Sequence, residues 1–297
     1  MRILITGSNG LLGQKIVDYC KEAEYEYLAS SYGHNRNPYC PDRNFITLDV
    51  SERDAVQNVC KVFEPTHIIN TAALTNVDLC EEKKELCERI NVKGVENLLD
   101  YCIQNNTHLQ QLSTDFIFDG KKGNYAENDE PNPLSEYGKS KWKAEQIISS
   151  SSHQNFSIVR TSVVYGTGHS LSKSNIVVWA IDSLRKGEEL KIVNDQFRSP
   201  AFADDLAKGC MRIIELNAKG VFNICGPCER SIYDYVLEIA QHLGISENRV
   251  IPIDTKTLNQ KAIRPKRSGL NIEKAKNILN FSPRSFGSTL FLIEDRI

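Results

Sequence analysis

Met1-Arg2-Ile3-Leu4-Ile5-Thr6-Gly7-Ser8-Asn9-Gly10-Leu11-Leu12-Gly13 opens the chain and decides how the rest of it is read. Residues 2 to 6 are an apolar run of strand length, and beyond the glycines Ile16, Val17 and Cys20 recur at helical spacing. Strand, glycine turn and helix come in the order a dinucleotide-binding fold requires. The glycines permit a tight turn and bring backbone N–H groups close to a pyrophosphate at the helix N-terminus, where the dipole favours negative charge. Spacing is G-x-x-G-x-x-G rather than the commoner G-x-G-x-x-G. The candidate dinucleotide contacts here are Gly7, Asn9, Gly10, Leu11, Leu12 and Gly13.

Outward from this turn, strand patterns recur at Tyr25 to Ser31, Phe45 to Val50, His67 to Asn70, His108 to Ser113 and Phe156 to Thr161, with helical patterns between them. Such alternation predicts an α/β fold with a doubly wound parallel sheet of Rossmann type. After residue 165 the character changes: a helix at Ile176 to Arg185, a short strand at Lys191 to Val193, a helix at Ala203 to Leu216 and a strand from Gly220 that rejoins the sheet. The expected division is residues 1–165 with 201–227 as the dinucleotide domain. Residues 166–200 and 228–297 then form a small discontinuous C-terminal substrate lobe.

With 297 residues and 40% hydrophobic content the chain can bury a full core. Its 36 Lys and Arg nearly balance 38 Asp and Glu, so no global field points to nucleic acid or to an anionic membrane. An anionic ligand must be held locally. The first strand begins at once, with no signal-peptide core, and no apolar run is long enough for a bilayer, which places the protein in the cytoplasm. Of nine cysteines, Cys20, Cys60, Cys102 and Cys210 sit among apolar helical neighbours as packing thiols. Cys225-Gly226-Pro227-Cys228 spells a thioredoxin-like motif, yet it follows a late strand and leads into a loop instead of starting a helix. No metal-ligand spacing is present, and none is expected.

The second strand ends in Ser30-Ser31-Tyr32-Gly33-His34-Asn35-Arg36 without an acidic residue to hold a ribose 2′-hydroxyl. Ser31, His34 and Arg36 suit a 2′-phosphate, which favours NADPH, with NADH left open. Asp49 and Val50 at the end of the third strand are candidates for the adenine end; Asp49 serves equally to cap the next helix. Ala72 and Ala73 are small enough for close approach of a cofactor. Asn91 either touches it or interrupts an apolar face. Thr114 and Asp115 fall at the carboxyl end of the fifth strand, where ligands of open α/β sheets collect. In Tyr137-Gly138-Lys139-Ser140-Lys141 a helix puts phenol and ammonium on one face, where the cation lowers the phenol pKa.

Taken together, the glycine turn, Asn70-Thr71-Ala72-Ala73, Ser113-Thr114-Asp115-Phe116-Ile117-Phe118-Asp119-Gly120, Tyr137 to Lys141 and Arg264-Pro265 resemble the extended short-chain dehydrogenase/reductases, and within them the dTDP-4-dehydrorhamnose reductases. The resemblance runs through nearly the whole chain. It implies a catalytic trio of Thr114, Tyr137 and Lys141, the last two also contacting the cofactor. It also implies a substrate wall of Thr75, Val77, Asp78, Thr114, Asp115 and Val163, with Arg264 and Arg198 for the diphosphate. Val163 stands where family members often carry a tryptophan near the sugar, which implies a differently shaped pocket. The implied reaction is NADPH-dependent reduction of the C-4 ketone of a nucleotide-linked 6-deoxyhexose, dTDP-4-dehydrorhamnose to dTDP-rhamnose. Two alternatives stay open: a regulatory NADP-binding subunit like the methionine adenosyltransferase β-subunit, and a reductase or epimerase of another sugar nucleotide. A homodimer also stays open.

Overall fold

The opening apolar run forms β1 (Arg2–Thr6), and the helix after the glycines is α1 (Leu11–Glu22). The computed structural model, which describes residues 1–172 and 174–297, continues with β2 (Glu26–Ser31), β3 (Phe45–Thr47), α2 (Arg53–Phe63), β4 (His67–Asn70), α3 (Val77–Glu82), α4 (Lys84–Glu88), α5 (Gly94–Asn105), β5 (His108–Thr114), α6 (Glu136–Ser150) and β6 (Phe156–Thr161). Then come β7 (Val164–Tyr165), α7 (Ile176–Arg185), β8 (Leu190–Val193), β9 (Phe197–Arg198), β10 (Ala201–Phe202), α8 (Ala203–Glu215) and β11 (Gly220–Asn223). β12 (Arg230–Ser231), α9 (Ile232–His242), β13 (Val250–Ile253), α10 (Glu273–Leu279) and α11 (Phe286–Glu294) complete the chain.

Seven parallel strands lie in the order β11-β6-β5-β4-β1-β2-β3. The chain builds outward from β1 to one edge, then crosses to β4 and builds toward the other. Strand order therefore reverses between β1 and β4, the place where ligands bind in such sheets. Register aligns the carboxyl ends there: Thr6 pairs with Ser30 and Asn70, and Thr114 pairs with Thr161.

Because helices cover both faces, the strands read as continuous apolar runs whose alternate residues serve different cores. Ile3 and Ile5 pack with Ile16, Val17, Leu206 and Phe222, whereas Leu4 packs with Val56, Ile68, Leu98 and Ile148. A third core, built from Val177, Ile181, Ile192, Val236, Ile239 and Leu290, holds α7, β8, α9, β13 and α11 together. Leu270, Ile272, Ala275 and Phe281 return to the first face of the sheet.

Two elements depart from the sequence expectation. β3 stops at Thr47 because Asp49 Oδ1 accepts from Ser51 N at 2.9 Å and Ser51 Oγ at 2.7 Å, a side-chain turn that competes with the strand ladder. The helix expected from Asn91 starts at Gly94, after a π-helical turn at Arg89–Lys93 that follows the short helices α3 and α4. Eight of the nine cysteines are buried and all are free thiols. Among the described residues no helix is long and apolar enough to cross a membrane.

Candidate active site

Gly7 has φ +70°, and a Cβ there would lie 2.6 Å from Ala72 N; one on Gly13 would lie 2.5 Å from Gly7 O. The turn is thus pressed against the exit of β4 and against its own helix, and only glycine fits. Gly10 is exposed and extended at the N-terminus of α1, which has neither a side-chain cap nor an acidic residue in its first turn. Its backbone donors are left for an anion. Ser8 Oγ, buried in the same turn, has no partner among the described residues. These features fit a bound dinucleotide. Leu12, by contrast, turns its side chain into the core.

Asn9 shapes the loop after β2, donating from Nδ2 to His34 O at 2.8 Å and accepting from Arg36 N at 2.9 Å. His34, Asn35, Arg36 and His169 line a cavity of about 540 Å³ there. No ion pair engages Arg36 among the described residues. Gln14, not anticipated from sequence, donates to His169 O and accepts from His169 N, each at 2.8 Å, and so closes the far side of that cavity. The pairing joins residues 155 apart, a separation no local pattern reveals.

A buried network ties the strand exits together. Thr6 Oγ1 donates to Asn70 Oδ1 at 2.6 Å, Ala72 N to the same oxygen at 3.2 Å, and Asn70 Nδ2 to Gln111 Oε1 at 2.7 Å. Asn91 is buried in the π-helical turn, with its Oδ1 taking Leu74 N at 2.7 Å and its Nδ2 donating to Leu74 O at 3.1 Å and Ser140 Oγ at 3.0 Å. Its amide groups are taken up by the protein, and it holds the segment that leaves β4. The Val50 side chain lies in the core with Leu48 and Val95. Asp49 serves the turn already described.

Ser135 caps α6 by accepting from Gly138 N at 3.2 Å, and a Cβ on Gly138 would lie 2.3 Å from Phe116 O. That close approach explains the glycine inside Tyr-Gly-Lys-Ser-Lys and brings the helix against the exit of β5. The Thr114 hydroxyl lies close enough to the Tyr137 phenol to oppose the effect of burial on it, and the Phe116 and Tyr137 rings meet edge-on at 6.1 Å. Tyr137 keeps part of its surface open, whereas Lys141, one turn on, is 3% exposed. No hydrogen bond or ion pair to Lys141 is made among the described residues. Burial pushes the Tyr137 phenol up, opposite in sign to the lowering expected from the lysine, while the Thr114 hydroxyl works against burial. Burial also lowers Lys141 to about 8, against the pull of Glu145 and Cys87.

The residues expected for substrate divide. Thr75 is exposed, and Val77 and Val163 are partly so. Asp115 lies behind Thr114: it accepts from Thr114 Oγ1 at 3.2 Å, from Ser162 Oγ at 3.1 Å and from Ser268 Oγ. Burial raises its pKa, opposed by Arg198 and these hydroxyls. Arg198 is 2% exposed, donates to Phe197 O and Pro265 O at 2.7 Å each, and stands 3.9 Å from Asp115. It pins the late Pro265 segment to the sheet. Asp78 and Arg264 pair with each other, Oδ2 to Nη2 at 2.7 Å and Oδ1 to Nη1 at 3.2 Å. Cys225 is buried with its thiol pushed up by desolvation, unlike a redox nucleophile.

A parallel sheet that opens on a glycine cradle, next to a helix carrying Tyr137 and Lys141, places this chain in the extended short-chain dehydrogenase/reductase class of nicotinamide-dinucleotide oxidoreductases. Within that class it belongs to the RmlD substrate binding domain family, which matches residues 1–295. The dTDP-4-dehydrorhamnose reductase of Aggregatibacter actinomycetemcomitans is 30% identical over 97% of this chain and 97% of its own. The crystal structure of dTDP-4-dehydrorhamnose reductase from Bacillus anthracis str. Ames in complex with NADP superposes with a TM-score of 0.87 at 27% identity, covering 100% of this chain and 99% of that one. Methionine adenosyltransferase 2 subunit beta of Danio rerio is 27% identical over 92% of this chain and 83% of its own.

Proposed function

We propose that the protein reduces the C-4 ketone of a nucleotide-diphospho-6-deoxyhexose with NADPH, dTDP-4-dehydrorhamnose being the leading substrate. The observation that carries this reading is Lys141, a buried ammonium that forms no ion pair among the described residues, one helical turn from a phenol that sits beside the Thr114 hydroxyl. A scaffold gains nothing from burying that charge. Ser31 at the end of β2, and the loop after it with His34 and Arg36 lining a cavity, support the phosphorylated dinucleotide.

The nicotinamide, when bound, supplies the hydride. Tyr137, kept protonated by its buried setting, donates its phenolic proton to the carbonyl oxygen as charge develops there. Thr114 orients that phenol, and the Lys141 ammonium stabilises the phenolate left behind and hydrogen-bonds the cofactor ribose. Residues 1–165 with 201–227 would hold the dinucleotide, and the lobe of 166–200 and 228–297 the sugar nucleotide.

Similarity to the methionine adenosyltransferase subunit supports a second reading, a dinucleotide-binding partner protein. One experiment separates them: purified protein is given NADPH and a panel of nucleotide-linked 4-keto sugars, and loss of NADPH absorbance is followed. Turnover with dTDP-4-dehydrorhamnose is expected. Tight NADPH binding with no turnover on any member would sink the reductase reading.

A further inference from the structure

The segment 254–264 is fastened at both ends. At one end Thr255 donates to Asp195 Oδ1 from N at 3.0 Å and from Oγ1 at 2.6 Å, and Gln196 Nε2 donates to Thr255 Oγ1 at 2.9 Å. At the other, Lys261 pairs with Glu82, Ala262 N donates to Asp78 Oδ1 at 3.0 Å, and Arg264 takes Asp78 through two nitrogens. Ile263, between the fastenings, is 66% exposed. The segment thus gains little from apolar burial and is held chiefly by charge.

The Arg264–Asp78 pair joins residues 186 apart in the chain. Asp78 lies on α3, directly after the β4 exit that faces the cofactor. Arg264 precedes Pro265, whose carbonyl receives Arg198, and Ser268, whose hydroxyl reaches Asp115 beside Thr114. A carboxylate gripping guanidinium through two parallel hydrogen bonds has the geometry that a phosphate oxygen pair would offer in its place. Asp78 and Arg264 are 36% and 15% exposed at their side chains, so the exchange needs no unfolding.

We propose that Asp78 is an internal stand-in for the substrate's diphosphate: it holds Arg264, and with it the 254–264 strap, until a nucleoside diphosphate displaces it. The idea rests on the nucleotide-sugar reading above and adds that Asp78 competes with the substrate it adjoins. Nucleotide affinity is then set by the difference between two anions on one arginine.

The test is equilibrium binding of dTDP, by calorimetry, to the full chain and to Arg264→Gln, Arg264→Lys and Asp78→Asn, with NADPH binding confirming that each variant is folded. Arg264→Gln should weaken dTDP about tenfold or more and Arg264→Lys by less, since lysine keeps charge without the two-pronged grip. Asp78→Asn should bind dTDP about three- to tenfold tighter, the worth of a partly exposed ion pair removed from the competition. Without ligand, trypsin should cut Asp78→Asn faster after Lys256 and Lys261, and dTDP should restore protection. Asp78→Asn weakening dTDP in step with Arg264→Gln, or neither substitution having any effect, overturns the stand-in while leaving the reductase reading intact. A wild-type chain that binds none of dTDP, UDP and GDP overturns the substrate class, and this inference with it.

Discussion

Asn91 donates to Ser140 across 3.0 Å, linking the π-helical turn before α5 to the helix that carries Tyr137 and Lys141. The same amide holds Leu74 by both backbone groups, so one side chain sets the gap between the segment that leaves β4 and α6.

Asn91→Leu, similar in volume, strips Leu74 N and O of their partner in a buried place. It should cost about 1–3 kcal/mol in urea unfolding, the range for buried polar groups left unsatisfied. NADPH affinity should fall with it, because the Ala72–Leu74 backbone is no longer held. Unchanged affinity in a destabilised variant would restrict Asn91 to a folding role.

Tyr137→Phe removes the proposed proton donor and leaves the ring against Phe116. Turnover should drop about 10²- to 10⁴-fold, the usual worth of a positioned acid. The NADPH dissociation constant should stay within about twofold, since the ammonium and the glycine turn are untouched. Near-normal turnover would remove Tyr137 from the mechanism.

The fold was legible because its decisive features are local: an apolar strand, a glycine turn and a helical stripe lie within Arg2 to Cys20. The one-turn spacing of Tyr137 and Lys141 is local too, since both lie on α6. The burial of Arg198 and Asp115 is not legible, because charge in a sequence does not announce burial. Only the tertiary meeting of β9, the Pro265 segment and the β5 exit turns them inward. Gln14 with His169 and Asp78 with Arg264 escaped notice for a related reason, their members being brought together solely by the fold. The fall of Lys141 to about 8 depends on how deeply α6 packs, which helical periodicity leaves open.

Arg198→Met should destabilise the chain by about 3 kcal/mol, as expected when one member of a buried charged pair is removed and Asp115 is left without its cation. Asp115→Asn together with Arg198→Met should recover part of that loss, because neither charge is then stranded. Urea midpoints of the two single variants and the double variant form the cycle that measures it. Strict additivity would mean that the pair does not interact.

Lys141→Met replaces a buried ammonium with an apolar chain of similar length. In the folded protein the lysine pKa falls from 10.5 to about 8, so below pH 8 the folded state carries the full cost of a desolvated charge. Between about 8 and 10.5 the folded chain has released that proton while the unfolded chain still binds it, and stability of the wild type rises with pH across that window. Without cofactor, the variant should therefore be more stable than wild type at pH 7, by up to about 3 kcal/mol, and its advantage should shrink as pH climbs past 8. NADPH binding should move the other way: affinity of the wild type declines above pH 8 as the ammonium is lost, whereas the variant binds weakly at every pH. Thermal melts and NADPH titrations from pH 6.5 to 10 measure both, and a variant that is less stable at neutral pH would show that Lys141 already has a stabilising partner within the protein.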